Sequence, residues 1–460
     1  MQKFLLHICC LMLLTLPLQA QQDIGIHFMQ GVWQSNITNP ASMPSHKFVL
    51  ALPGFYNQTR IDNFNINDVI RKDDQGNTLI DLDNVLDKMD VENIIRQQVD
   101  IPTVSLGVKI NQLFLQIGHS FHVNGYLDYP KKLAQVAWQG NAQFIGETID
   151  IGPDVLAQAY NSFFVGVAGE IAPGVVIGGR FKVLSGTADL STQRRSLQLT
   201  TDTEIYQTQL DADFVVNSTG VINFEGFNRN TGVDFNDSNI NFDRLISSNY
   251  GLAFDLGVQA RFGDWTFAAS ALDIGSITWR EDAKKLSLEG NFEFQGLDIL
   301  KDVLLDSVST ISLVDTLETQ YNVVETSASY TTDLPAKYYF SATIQATDTW
   351  RIGGLAYVEQ YREKFQTTVG LSANVQLFDF LSAGAIYSFT ESESFRLGAN
   401  TAIRLGPVQL IAATDNLITA FQVQESNSAN FRLGLNLLLG KVNRGIDPDK
   451  IENQDDFFRN

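Results

Sequence analysis

Phe365-Gln366-Thr367-Thr368-Val369-Gly370-Leu371-Ser372-Ala373-Asn374-Val375-Gln376-Leu377 changes character with every residue. In an extended strand successive side chains point to opposite faces, so Phe365, Thr367, Val369, Leu371, Ala373, Val375 and Leu377 form one face. Gln366, Thr368, Gly370, Ser372, Asn374 and Gln376 form the other. One face suits hydrocarbon and the other suits water. The next segments repeat the pattern. Leu381, Ala383, Ala385, Tyr387 and Phe389 oppose Ser382, Gly384, Ser388 and Thr390, and Phe395, Leu397, Ala399, Ile403 and Leu405 oppose Arg396, Gly398, Asn400 and Arg404. Phe431, Leu433, Leu435, Leu437 and Leu439 oppose Arg432, Gly434 and Asn436. An arginine facing acyl chains at mid-depth costs about 2 to 4 kcal/mol, so the polar face is expected to line a lumen.

A soluble β-sandwich would alternate as well. Its strands are typically ~5 to 6 residues, whereas these approach the ~9 to 11 needed to cross a bilayer at a barrel's tilt. The connections are also unequal. Phe262-Gly263-Asp264, Thr347-Asp348-Thr349, Phe378-Asp379 and Gly406-Pro407 read as tight turns on the periplasmic side. Longer links, Val216 to Ser248, Ser276 to Pro335 and Asp415 to Ala429, read as outer loops. The fold class expected is therefore all-β: a transmembrane, antiparallel, up-and-down β-barrel. About fourteen strands are counted, with sixteen as the next even number, and short helices fall in the long loops. Earlier segments alternate less regularly: Val104, Leu106, Val108 and Ile110; Val175, Ile177, Phe181 and Val183 against Gly178, Arg180 and Lys182; and Tyr250, Leu252, Phe254, Leu256 and Val258 against Gly251, Asp255 and Gln259. Upstream of about Tyr160 the in-and-out parity is lost.

The N-terminus reads as an export signal. Lys3 supplies the positive start, Phe4 to Leu14 a short apolar run and Leu18-Gln19-Ala20 a small-residue cleavage site, so Gln21 is expected to begin the mature chain. The division expected is a signal peptide over 1–20, an N-terminal segment and plug candidate over 21–45, a barrel over 46–440 and an acidic periplasmic tail over 441–460. Both cysteines, Cys9 and Cys10, lie in the signal, so neither thiolate catalysis nor cysteine-ligated metal is expected. The formal net charge of −20 becomes −21 once Lys3 is removed, and no segment clusters the positive charge that nucleic acid would need.

Two stretches carry helical rather than strand periodicity: Val69-Ile70 with Leu82, Val85, Leu86, Val91, Ile94 and Ile95, and then Leu297 to Leu317. Each reads as a lid, a plug or a helix packed on its own loop. Tyr250, Trp265, Trp279, Tyr338, Trp350, Tyr357 and Tyr387 are candidates for aromatic belts at the two water interfaces.

Catalytic chemistry is sparse. His119 and His122, three apart on a strand, point to opposite faces and cannot share a metal. Ser120 and His122 do share a face, which leaves a barrel-embedded lipid hydrolase as a remote alternative without a third residue to orient it. The run Asp234, Asn236, Asp237, Asn239, Asn241 and Asp243 lacks the glycine and terminal glutamate of a calcium loop, and Gly434 to Lys441 lacks phosphate-loop spacing. No catalytic residue, metal site or cofactor is expected, and no residue is assigned to solute binding.

Asn36-Ile37-Thr38-Asn39-Pro40-Ala41-Ser42-Met43-Pro44 resembles the Asn-Pro-Ala element near the start of FadL-like and PorP-like outer-membrane barrels of Bacteroidota. Leu334 to Phe340, Ile403 to Leu410 and Thr414-Asp415-Asn416-Leu417 are similar to the C-terminal strands of a related barrel family of unassigned function. The FadL likeness implies a channel or transporter for a hydrophobic or amphipathic solute, with an N-terminal plug. The PorP likeness implies a barrel that anchors a secretion, motility or cell-surface partner. Partners expected are outer-membrane lipid, such a solute, and a periplasmic or surface protein. The chain departs from many such barrels in continuing past Gly440, which leaves Phe431 to Leu439 as an internal assembly signal.

Overall fold

A computed structural model describes residues 23–29, 31–72, 75, 78–203, 207–220, 222–223, 234–235, 245–294, 323–390, 396–417, 419 and 423–441. Fourteen strands form the barrel: β1 (His46–Ile61), β2 (Glu92–Ile110), β3 (Leu113–Pro130), β4 (Asp154–Ala172), β5 (Val175–Thr201), β6 (Tyr250–Phe262), β7 (Trp265–Trp279), β8 (Ala336–Gln345), β9 (Trp350–Tyr361), β10 (Lys364–Phe378), β11 (Leu381–Phe389), β12 (Arg396–Leu405), β13 (Val408–Thr414) and β14 (Ser428–Lys441). Each pairs antiparallel with its neighbours in chain order. The ring closes where β14 pairs with β1, Phe48 opposite Leu439 and Arg60 opposite Ser428. The sheet therefore has no free edge within the ring, which is the condition for backbone polar groups to lie in hydrocarbon.

The side chains of β10 decide between barrel and sandwich. Phe365, Leu371 and Leu377 are 60%, 55% and 50% exposed, while Gln366, Thr368 and Ser372 are 1%, 0% and 4% exposed. Apolar groups outside and polar groups inside invert the order of a water-soluble protein. The exposed set runs round the ring, from Ile117 and Val165 through Phe254 and Phe340 to Leu397 and Leu433. Apolar surface in water costs about 25 cal/mol per Å², so a belt of this extent is stable only against lipid.

Short turns gather at one end, called inner here. Gly263 and Gly406 take positive φ (58° and 62°) in two of them, a conformation that glycine adopts without steric penalty. The other, outer end carries the long links, together with the two-residue turn Arg362-Glu363 between β9 and β10. The link from β1 to β2 contains α3 (Ile66–Val69) and α4 (Leu82–Lys88), and the link from β3 to β4 contains α5 (Lys131–Gln139). Val85 and Leu86 of the first helical stretch are buried at the outer end, whereas Ile94 and Ile95 lie in β2 rather than in a helix. Pairing of Ile94 with Asp128 and of Ile95 with Ile61 overrides their helical spacing. The second helical stretch lies outside the described residues, as do most of the acidic run, the signal and the tail beyond Lys441.

β5 continues past the ring for a total of 27 residues. Its outer half pairs with Thr208–Thr219, that strand with Ala283–Phe294, and that one with Val323–Ser327, so a sheet projects beyond the barrel. The parity lost upstream of Tyr160 has a physical cause. Register shifts interrupt the ladders at Leu52/Phe55, Pro102/Val104 and Ala159/Tyr160. Pro53 and Pro102 lack the N–H that would continue a ladder, and each bulge reverses the alternation that follows it.

Inside the ring lies the N-terminal segment, with α1 (Ile24–His27) and α2 (Ser35–Thr38). Ile24 and Phe28 pack with Leu272, Tyr339, Leu355, Tyr357 and Ile386. Ile26, Met29 and Val32 pack with Ala402 and Ile411, and Trp33 with Val49, Phe114, Ala168 and Leu438. The segment thus touches three arcs of the wall. Small residues on the inner face make room for it: a Cβ on Gly178 would come within 2.4 Å of the Pro40 carbonyl, and one on Gly257 within 2.1 Å of Asn39 Oδ1.

Of the proposed belt residues, Tyr250, Trp265 and Trp350 are exposed at strand ends. Trp279 and Tyr357 are fully buried and do not belong to a belt. Tyr357 shares the inner face with Glu359, two residues along, and donates to it at 3.0 Å. Trp279 packs with Tyr160, Leu184 and Ile277 and donates its indole N–H to Thr332.

Candidate functional site: a chamber in the lumen

Between the N-terminal segment and the outer end the lumen holds a partly open cavity of about 80 Å³. Trp33, Ile37, Phe164, Leu272 and Tyr339 supply apolar wall to it. Set among them is a network of ion pairs. Lys182 bridges Asp255 (2.7 Å) and Asp273 (2.6 Å), Lys337 reaches Asp273 (3.0 Å), and Arg180 reaches Asp255 (3.3 Å). On the far side Arg432 Nε holds Asp23 at 2.8 Å, and Asp100 accepts from His122 Nδ1 at 2.7 Å. Four basic residues, Arg180, Lys182, Lys337 and Arg432, thus face four acidic ones, Asp23, Asp100, Asp255 and Asp273. The chamber is polar without a net sign, since charges taken out of water persist only when paired.

The same residues tie the N-terminal segment to the wall. Arg180 donates to the backbone and side-chain oxygens of Asn36, and Gln34 and Asn436 exchange reciprocal hydrogen bonds at 2.9 and 2.8 Å. Asp415 accepts the otherwise unpaired N–H groups of Ile24 (3.3 Å) and Gly25 (2.8 Å) at the start of α1, where a carboxylate is electrostatically favoured. Within Asn39-Pro40-Ala41, the Asn39 side chain accepts from the Ala41 N–H at 2.9 Å and donates to the Val258 carbonyl at 3.2 Å. The motif therefore seats the segment on β5 and β6. Burial pushes His27 down to about 4 and Asp415 up to about 6, with the neighbouring Asp23 charge adding to the rise at Asp415.

The outer end of the chamber is crossed by a second group of contacts. β2 and β9 stand seven strands apart in the ring of fourteen, on opposite walls, yet Arg96 and Glu359 meet at 2.8 Å, both fully buried. Tyr126 also donates to Glu359 and stacks on Tyr361 at 4.2 Å, while Tyr361 donates to Asp128 at 2.9 Å. Arg362, in the short outer turn, pairs with Asp154 and donates to the Val155 carbonyl at 3.0 Å. The β9–β10 hairpin thereby spans the lumen and pinches its outer mouth.

Ser120 and His122 both line the chamber, as their spacing requires, and Asp100 orients His122. No hydrogen bond joins Ser120 to His122 among the described contacts, and Arg432, 3.6 Å from Asp100, draws that carboxylate into the pairing with the N-terminal segment. His119 points the other way, toward Thr103 (2.9 Å) and Asn161 (3.1 Å). Sequence reasoning placed Arg180, Lys182, Asp255, Arg396 and Arg432 on the inner face. It missed Asp23, Asp100, Asp273 and Lys337, which lie before or beside irregular stretches where parity cannot be carried forward.

These features define a closed, lipid-facing fourteen-stranded barrel whose lumen is occupied by its own N-terminal segment. The chain belongs to DUF5723, a family of unknown function, which it matches over residues 40–415. No curated protein matches it in sequence. Among solved structures it is similar to the toluene transporter TodX of Pseudomonas putida, at 7% identity over 92% of this chain and 98% of that one, with a TM-score of 0.40. It is similar to a FadL homologue of Pseudomonas aeruginosa, at 10% identity over 92% and 99%, with a TM-score of 0.41. It is also similar to the toluene transporter TbuX of Ralstonia pickettii, at 8% identity over 88% and 93%, with a TM-score of 0.33.

Proposed function

We propose that the protein is an outer-membrane channel or transporter for a hydrophobic or amphipathic solute, with residues 21–45 acting as its plug. The observation that carries this reading is the chamber itself. Paired charges beside Trp33, Phe164, Leu272 and Tyr339 offer a polar head and an apolar body separate surfaces within one cavity. Residence in the outer membrane is supported by the closed barrel with its lipid-facing belt and by the export signal read over 1–20. Kinship with Bacteroidota barrels is supported by the Asn39-Pro40-Ala41 element, which here seats the segment on the wall.

The test is chemical. Mass spectrometry of protein extracted in mild detergent should detect a bound amphipathic molecule, and removing residues 21–45 should raise solute flux in proteoliposomes. A barrel with nothing bound, and equally impermeable with and without the segment, would overturn the proposal.

A second reading, a barrel that anchors a surface or periplasmic protein, is favoured by the sheet projecting beyond β5. A barrel lacking 208–219 and 283–294 should then fail to retain that partner in a pull-down. The acidic tail over 441–460 is a second candidate for the same role on the inner side.

A further inference from the structure

A second, smaller cavity, of about 40 Å³, lies on the inner side of the N-terminal segment, between it and the inner ends of β6, β7 and β8. Gln259, Thr266, Ser341 and Thr343 supply its wall, and His27 and Asn39 are among its lining residues on the segment. Thr38 and Tyr339 line the outer chamber. Thr38 Oγ1 is 3.0 Å from His27 Nδ1, and the Tyr339 ring stacks on the imidazole at 5.3 Å with 4° between planes. On its other side His27 Nε2 meets Ser341 Oγ at 2.9 Å. His27 therefore lines the inner space and touches, through Thr38 and Tyr339, two residues that line the outer one.

We propose that solute passes from the chamber to the inner vestibule alongside the docked N-terminal segment, and that His27 is the residue that sets what can pass. This inference rests on the transport reading above and deepens it. The passage is bounded by hydroxyls (Thr38, Ser341 and, beyond them, Thr343) on one side and by the faces of Tyr339 and His27 on the other. A slender amphipathic molecule with one hydrogen-bonding head fits that pairing, since the head can replace His27 at Thr38 or Ser341 while its chain slides along the rings. The backbone need not move: Ser270 Oγ holds the Thr38 carbonyl at 2.6 Å and Asn400 holds the Gly25 carbonyl at 3.1 Å.

The segment can be locked in place for the test. A Cβ on Gly25 falls 3.3 Å from the Ala413 Cβ, close to disulfide separation, so G25C with A413C tethers the segment to β13. Cys9 and Cys10 are the only other cysteines. In oxidised, locked protein reconstituted into liposomes, H27A should raise the swelling rate in L-arabinose several-fold over locked wild type, and H27W should lower it to that of empty liposomes. S341G, which widens the passage from the wall and leaves the sequence of the segment intact, should act like H27A. Heat-modifiable gel mobility shows that each barrel is folded.

If locked H27A and S341G both swell no faster than locked wild type, while a barrel lacking residues 23–45 swells freely, solute crosses only when the segment leaves. The route proposed here is then wrong and the transport reading stands. If the shortened barrel also fails to swell, both are overturned.

Discussion

His27 and Asp415 carry opposite consequences for pH, although burial displaces both. His27 titrates near 4 when docked against 6.5 ordinarily, so its contribution to docking is complete above pH 6.5 and is lost as pH falls toward 4. Asp415 titrates near 6 against 3.8, so docking carries a penalty above pH 6 that is relieved as pH falls toward 3.8. Each is worth on the order of 3 kcal/mol at full titration. Asp23 is also raised by burial, and it is common to any variant at the other two sites. Acidification from pH 6.5 to 4 should therefore strengthen docking in H27Q relative to D415N. The emission of Trp33, buried against Phe114, reports docking once a W33F control is subtracted. Equal pH slopes in the two variants would refute the assignment. At this scale the sequence showed which face a residue takes but not whom it meets. Arg432 is legible as an inward arginine from Phe431 and Leu433 on either side of it, whereas its partner Asp23 lies 409 positions away.

Among elements, β10, β11, β12 and β14 were legible because regular alternation has one physical solution, lipid on one side and lumen on the other. Leu371 lies midway along β10, so L371R places a guanidinium against acyl chains and should cost about 2 to 4 kcal/mol of unfolding free energy, measured by denaturant titration in bilayer vesicles. No loss would mean that this face does not meet lipid. β1 and the outer half of β2 were illegible for the converse reason: Pro53 and Pro102 break the ladders and shift the parity midway. The β9–β10 hairpin adds a feature that periodicity does not encode. Only the fold brings Glu359 to Arg96 across the lumen. E359Q leaves that arginine buried without its counter-charge and should cost about 3 to 5 kcal/mol, whereas replacing both residues with leucine should cost less. Equal losses in the single and double variants would show that the two charges do not stabilise one another.

For the whole molecule, ring closure, strand number and the unequal ends followed from pattern and turn lengths. The contents of the lumen did not, because a polar inner face is consistent with water, with packed side chains or with a strap of chain. The structure shows the strap, anchored on three arcs of wall by Ile24 and Phe28, by Ile26 and Val32, and by Trp33. β14 supplies Arg432 to Asp23, Asn436 to Gln34 and Leu438 to Trp33, and the same strand completes the circle against β1. The last strand laid down is thus also the one that grasps the start of the chain. A barrel that shuts without its strap would leave Asn436 without Gln34 and Arg432 without Asp23, an unfilled polar seam on the very strand that closes it.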